Sequence, residues 1–342
     1  MPWEVPLTPR AAERVAREAS TQMFDRAAAA LKADWGVELD GKQIQRWSEK
    51  LGERVVGERR LAVAAYERGH RPSSPANDPV LLVIGMDGGR VQMREKNAET
   101  GSRWREDKVG TVTSYLPGDG TEACPPQPLV TTYVGTMGRT EAFGKQLQVE
   151  AERRGLRGAD TVVVLGDGGN WIDPLTHRER LCDQRILDFY HAVEHLYEAA
   201  EAVWSKDARK AKALGKRMKG WLWEGRVDRV IALLGEHAER LGAPQKRDGP
   251  EHPRRVVANN VGYFEKHRLH MDYPTYRRKG WPIGSGVTES GVKQFNKRVK
   301  GTDQFWTEEG VESILALRAM WLSQDDRWTR YWQTRSAYPR AA

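Results

Sequence analysis

Cysteine is nearly missing from this chain: Cys124 and Cys182 are the only two among 342 residues. They lie far apart and form no CxxC pair, so neither a disulfide framework nor a zinc ribbon is written here, and a reduced, cytoplasmic setting fits. Long apolar runs are absent too. Nowhere do about eighteen apolar residues follow one another, and the opening MPWEVPLTPR puts no charged segment ahead of an apolar core, so neither membrane spanning nor secretion is expected. No internal repeat is found. Acidic residues are the minority among charges, 47 Asp and Glu against 55 Lys and Arg, for a net charge of +8. That balance suits a polyanionic partner and also an ordinary basic enzyme, so the placement of the charge has to decide. What is present is enough apolar residue, 39%, to bury a principal domain and one or two smaller ones.

Residues 8–67 carry apolar positions at helical spacing in two runs separated by GVELDG. Val37 and Leu39 before the break and Ile44, Trp47 and Leu51 after it resemble the buried positions of a helix-turn-helix. That arrangement turns Gln43, Gln45 and Arg46 toward solvent or a DNA groove; an ordinary helical hairpin fits the pattern equally well. The Pro- and Ser-rich segment RGHRPSSPANDP marks a linker. After it VLLVIGMD reads as a buried strand, followed by a Gly-Gly turn and a hairpin partner. Strands are expected in DKVGTVTSYL and LVTTYVGTM, a helix over 140–154, and a further buried strand in TVVVLGD. From Ile186 the pattern is helical and rich in charge. The chain thus divides into 1–67 (helical, DNA-binding), 68–79 (linker), 80–185 (α/β core, first part), 186–279 (helical insertion) and 280–342 (core, last part, with a basic helix). The fold class is mixed, helix-rich α/β.

Three acids stand out. Asp87 closes VLLVIGMD and Asp167 closes VVVLGD, and ligands gather beyond strand ends in such sheets. Either alone reads as a turn Asp bonding local N–H groups; the pair shifts the balance toward chemistry. Glu289, in WPIGSGVTESGVKQFNKRVKG, falls in the first turn of a helix, with Lys293, Asn296 and Lys300 following at helical spacing. Carboxylates for metal beside Lys293, Lys297, Arg298 and Lys300 for phosphate are what phosphoryl transfer on DNA needs, and two Mg²⁺ ions, or Mn²⁺ in their place, serve that chemistry. The alternative is a solvated basic helix with one Glu–Lys pair. Trp306, directly after the basic run, is the best of the 13 tryptophans for stacking on an unpaired base, although most tryptophans belong in cores.

GMDGGR, LGDGGNWI, DFYHAVEHL and GSGVTESGVKQFNKRVKG, in that order, resemble the motifs of bacterial insertion-sequence DDE transposases of the Kra-type group, over residues 80–328. The resemblance implies an RNase H-like core interrupted by a helical insertion, Asp87, Asp167 and Glu289 as catalytic metal-holding acids, and a nucleoid-associated protein acting on double-stranded DNA as a homodimer or higher oligomer. It implies hydrolysis at element ends followed by attack of the freed 3′-hydroxyl on target DNA. Asp188 and His191 of DFYH are similar to an auxiliary signature of transposases with such insertions; a structural bond bracing the insertion is an equal reading. A zinc site from Cys182, Asp188, His191 and His195 matches no usual spacing. Two departures from the group are GTDQFW, with Asp303 and Gln304 after the basic run, and a short amino terminus that suggests a truncated copy. The rivals are an inactive, domesticated DNA-binding derivative and a metal-dependent phosphohydrolase of small substrates.

Overall fold

The computed structural model describes residues 5–301 and 304–336; Asp303 lies outside them. Three helices, α1 (Pro9–Thr21), α2 (Phe24–Trp35) and α3 (Gly41–Glu67), precede the strands β1 (Leu81–Gln92), β2 (Trp104–Leu116) and β3 (Gln127–Thr136). Helix α4 (Thr140–Arg153), β4 (Thr161–Gly166), α5 (Ile172–Glu179) and β5 (Gln184–Leu187) follow. A run of helices comes next: α6 (Phe189–Val203), α7 (Ala208–Trp223), α8 (Val227–Leu241), α9 (Pro253–His267) and α10 (Tyr273–Arg278). Helices α11 (Gly286–Val299), α12 (Glu308–Leu322) and α13 (Arg327–Ser336) complete the order. Among the described residues no helix is long and apolar enough to cross a membrane.

The five strands form one mixed sheet in the order β3-β2-β1-β4-β5. The first three are antiparallel neighbours, and β4 and β5 run parallel to β1. Alternation along β1 sorts its side chains between faces. Leu82, Ile84 and Met86 enter a core with Phe143 and Leu147 of α4 and Ile172 and Leu175 of α5. On the other face, Leu81 and Val83 join Phe189 and Leu196 of α6, while Val91 joins Phe295 of α11 and Ile314 of α12.

The expected Gly-Gly turn after Asp87 does not form. β1 runs through Gly88 and Gly89 to Gln92, paired with β2 throughout; the continuous partner strand outweighs the turn tendency of the glycines. The expected boundary at 185/186 falls inside β5, a four-residue strand that the sequence reading missed along with α5. The amino-terminal helices are not set apart by the linker either. Ala12, Ala16, Leu51, Val55 and Val56 share one core with Val109, Phe295 and Ile314, so α1 and α3 form a layer over α12. That helix, which the sequence pattern did not single out, buries ten of its fifteen residues.

This layer also changes the reading of two cationic or aromatic candidates. Arg298 is 1% exposed; its Nε donates to the Ala19 carbonyl at 2.5 Å, and its guanidinium lies over Phe24 (4.7 Å) and Trp306 (5.2 Å). Burial, with Arg318 nearby, pulls it down to about 9. Trp306 is 4% exposed and donates its Nε1 hydrogen to the Val299 carbonyl at 2.9 Å. Both are structural, because α1 and α2 cover the side of α11 that the sequence pattern left open. Gln43 is spent as well: its Oε1 accepts from the Asp40 N–H, and its own N–H donates to Asp40, closing a capping box. Arg46 stays exposed.

Replacing a buried cation that lacks an acidic partner by an apolar chain of similar length is often neutral or stabilising, whereas truncation leaves a cavity. Arg298→Met is therefore expected to melt within about 1–2 °C of the parent, the shift produced by ~1 kcal/mol in a chain of this size. Arg298→Ala should melt clearly lower, and thermal denaturation followed by circular dichroism checks both.

Candidate active site

Pairing between β1 and β4 ends at Gly85 and Leu165. Beyond that point β1 keeps β2 on one side while, among the described residues, no strand pairs with its other edge until Trp306 bridges Met93, and Asp87 and Asp167 both come two residues after the last pair. Asp87 is thus not at a strand end but at a parting of strands, which exposes one edge of β1 to a cavity. That cavity, ≈290 Å³, is lined by Asp87, Asp167, Glu289, Tyr190, His191 and Glu194, among others. The three acids come from β1, from the end of β4 and from the first turn of α11.

Glu289 reaches the cavity because α11 lies directly on β1. A side chain at Gly85 would strike the Thr288 hydroxyl, and in the space so left Thr111 and Thr288 share a hydrogen bond of 2.9 Å between their hydroxyls, both buried. The start of α11 is fixed from a second direction by Asp188, 1% exposed, which caps α6 by accepting from the N–H groups of Tyr190 (2.6 Å) and His191 (2.9 Å). Its other oxygen accepts from the Ser285 N–H at 2.5 Å, and the Ser285 hydroxyl reaches Glu289 Oε1 at 3.3 Å. Asp188 therefore ties the insertion to the helix that carries the third acid. It makes no side-chain bond to His191.

Asp167 is held through its backbone. Arg185 of β5 donates to the Asp167 carbonyl at 2.5 Å and pairs with Asp173 at 2.9 Å. Gly168 gives α9 room to press on the turn: a side chain there would begin 2.5 Å from Tyr263 and 2.9 Å from His267 Nε2.

The electrostatics are uncompensated. Burial holds the Asp87 carboxyl above its ordinary value; the Gly88 N–H, at 2.6 Å, works against this, while Asp167 and Glu289 add like-charge repulsion. Among the described residues neither Asp87 nor Asp167 has a basic partner at ion-pair distance. Glu289 has one, Lys293 at 3.6 Å across one turn. Lys293, Lys297 and Lys300 are exposed; Lys300 caps the end of α11 rather than continuing its face, and its Nζ lies 5.7 Å from the Trp104 ring centre.

The donors are hard oxygens, the kind that Mg²⁺ takes, and they accumulate negative charge in one cavity, so they fit a divalent cation in kind and in charge. They do not yet close on one point: among the described residues no three His, Cys, Asp or Glu side chains are gathered to hold a metal ion. The suggested zinc set is likewise not assembled. His195 faces Asn260 (Nδ1 to Oδ1, 2.9 Å) and stacks on Tyr263 at 3.9 Å. A roomier cavity of ≈530 Å³ lies between α3, α4 and α13; its arginines and acids pair with one another, as Arg327 does with Glu150 and Asp325, and it holds none of the three acids.

Two residues went unnoticed in the sequence. Glu194 lines the cavity one turn after His191, 3.4 Å from its Nδ1, and helical spacing from DFYH alone would have found it. Asp107 had no such signal. It is fully buried on β2 opposite Gly89, neither of its oxygens has a hydrogen-bond partner, and the likewise unpartnered Asn296 Oδ1 sits beside it. Burial pushes Asp107 up to about 6.

A carboxyl raised in the folded state stabilises the fold fully below its unfolded value near 3.8, and that contribution is lost as pH rises through about 6. Asp107→Asn, whose amide can donate to Asn296, is expected to match the parent near pH 4 and to exceed it by about 2–3 kcal/mol at pH 8. Urea denaturation at the two pH values measures the difference; a variant less stable at pH 8 contradicts this account.

No family model matches the chain, and no curated protein matches it significantly. Among solved structures it is similar to the Drosophila P element transposase strand transfer complex, at a TM-score of 0.40 and 8% identity, over 95% of this chain and 94% of that one.

Proposed function

We propose that the chain is a DDE-type DNA transposase with an RNase H-like core, residues 80–185 and 280–342, interrupted by a helical insertion. The observation that carries this is the meeting of Asp87, Asp167 and Glu289 at one cavity where β1 and β4 part. The strand order β3-β2-β1-β4-β5, three antiparallel and two parallel, supports the RNase H-like assignment.

In this reading Asp87 and Asp167 hold divalent metal, with Mg²⁺ or Mn²⁺ as the ion, and Glu289, whose side chain is half exposed and can turn, completes the set. Bound there, the metal supplies a nucleophilic oxygen at neutral pH and stabilises the departing one. The protein's own part is positional. Asp87, disfavoured as a bare anion by burial and by its acidic neighbours, gains most from a cation. Asp188 and the Thr111–Thr288 bond keep Glu289 over the parted strands. Lys293 and Lys297, exposed along α11, meet the phosphates of the strand entering the cavity. His191, oriented by Glu194, lines the same cavity and borders the scissile phosphate. The substrate is double-stranded DNA with element ends, and bringing two ends together calls for a homodimer or higher assembly.

Nicking and strand transfer on a plasmid carrying the element ends, with Mg²⁺ or Mn²⁺, tests this. Asp87→Asn, Asp167→Asn and Glu289→Gln are each expected to lower cutting by at least ~100-fold, the scale of losing one strong transition-state contact. Binding to the ends should persist, and Asp87→Asn should melt no lower than the parent, because it removes a buried charge. Cutting that survives any of the three changes overturns the assignment.

A further inference from the structure

A row of exposed cations in the insertion lies on α7, none of whose residues lines the cavity of the three acids. This helix, ARKAKALGKRMKGWLW, buries Ala211, Leu214, Gly215, Met218 and Leu222. At about 100° per residue its Arg209, Lys212, Lys216 and Lys219 fall within an arc of about 80° outside the buried face, and all four are exposed. Along the axis they span about 15 Å at a rise of about 1.5 Å per residue.

Among the described residues none of the four forms an ion pair, although acids are close in sequence and space. Asp207 pairs with Lys210 at 3.5 Å, Glu224 with Arg226 at 3.1 Å and Asp228 with Arg268 at 2.8 Å. On α6, against which α7 packs, Glu194 and Glu198 face His191 and His195. Like charges three and four residues apart cost each helix pair roughly 0.2–0.5 kcal/mol, so the row is maintained against its own repulsion. The flanking cations are committed elsewhere, Lys210 over Trp204 at 4.9 Å and Arg217 over Trp221 at 5.2 Å.

We propose that α7 is a phosphate-tracking surface that binds the backbone of a DNA duplex. Besides its cations the helix exposes only Ala208, Ala213 and Gly220, and its half-buried Trp221 and Trp223 lie under Arg217 and Arg277, so it has no free apolar anchor for a lipid bilayer or for the centre of a protein interface. A row of about 15 Å runs beside about four phosphates of one strand, spaced about 3.4 Å along the axis. The contact carries no base readout, so it lends affinity and orientation to whichever duplex the acids engage. The inference rests on the transposase reading only for the identity of that duplex.

The experiment is the salt dependence of binding to an unrelated duplex, by fluorescence anisotropy in EDTA so that no cutting occurs. The parent is compared with a variant carrying Arg209→Gln, Lys212→Gln, Lys216→Gln and Lys219→Gln, and with one in which the three lysines become arginine. The slope of log affinity against log salt is expected to fall by about 3–4 in the glutamine variant, at about 0.9 per phosphate contact, and to be retained in the arginine variant. An unchanged slope in the glutamine variant overturns the proposal, and an equal loss in the arginine variant does so too, since it would report misfolding rather than charge. Because metal is absent, the slope is read independently of cutting. A lowered slope with no nicking under any condition leaves α7 standing and removes the transposase reading; nicking with an unchanged slope does the reverse.

Discussion

A helix side chain can press against the backbone of a strand only where that strand carries no side chain, and that constraint at Gly85 sets the place of the third acid. Thr288 occupies the space a side chain at Gly85 would need and bonds to Thr111. Two strands of the sheet are thereby joined to a helix nearly two hundred residues later in the chain, and Glu289, the next residue, arrives over the gap between β1 and β4. The neighbouring elements pack around this seat. The amino-terminal helices close over α11 and α12 from the far side, with Arg298 and Trp306 filling the junction. The insertion is held by Asp188, whose carboxylate accepts from two N–H groups of α6 and one at the start of α11.

The same seat has an electrostatic cost. Asp87 and Asp107 are set in β1 and β2 under α11 with no ion pair among the described residues, and burial raises both. A protein optimised for stability alone would place apolar residues there. Asp87 has a reason to remain in the proposed chemistry, where its aversion to being a bare anion becomes affinity for a cation. Asp107 and Asn296, one step deeper, bring side-chain oxygens without a hydrogen-bond partner to the same side of Gly89. The cationic row on α7 is the mirror case at the surface, where charge of one sign is kept together without an ion pair among the described residues.

Much of this was legible in the sequence because it is local. Apolar runs ending in Asp marked β1 and β4, and the Gly-Ser-Gly entry marked the start of α11 within a turn. What was not legible depends on partners remote in the chain. Asp87 reads as a strand-end residue because only the tertiary pairing shows that β1 goes on while β4 stops. The four residues of β5 are too few to show a period. α12 is buried nearly all round and so has no polar stripe to set it off from its neighbours. Arg298 passed for a surface cation because spacing tells which residues share a face, not what covers that face. Arg185, which holds the Asp167 backbone, left no mark at all in its surroundings.

The central claim is that Asp87, Asp167 and Glu289 hold divalent metal together, and it can be tested without DNA or turnover. Ferrous iron exchanged into the site, with ascorbate and peroxide, cuts the backbone next to wherever the ion sits. The account predicts cleavage near residues 87, 167 and 289 in the same preparation, suppressed by excess Mg²⁺. Cleavage confined to other segments, or at one of these positions without the other two, would contradict it.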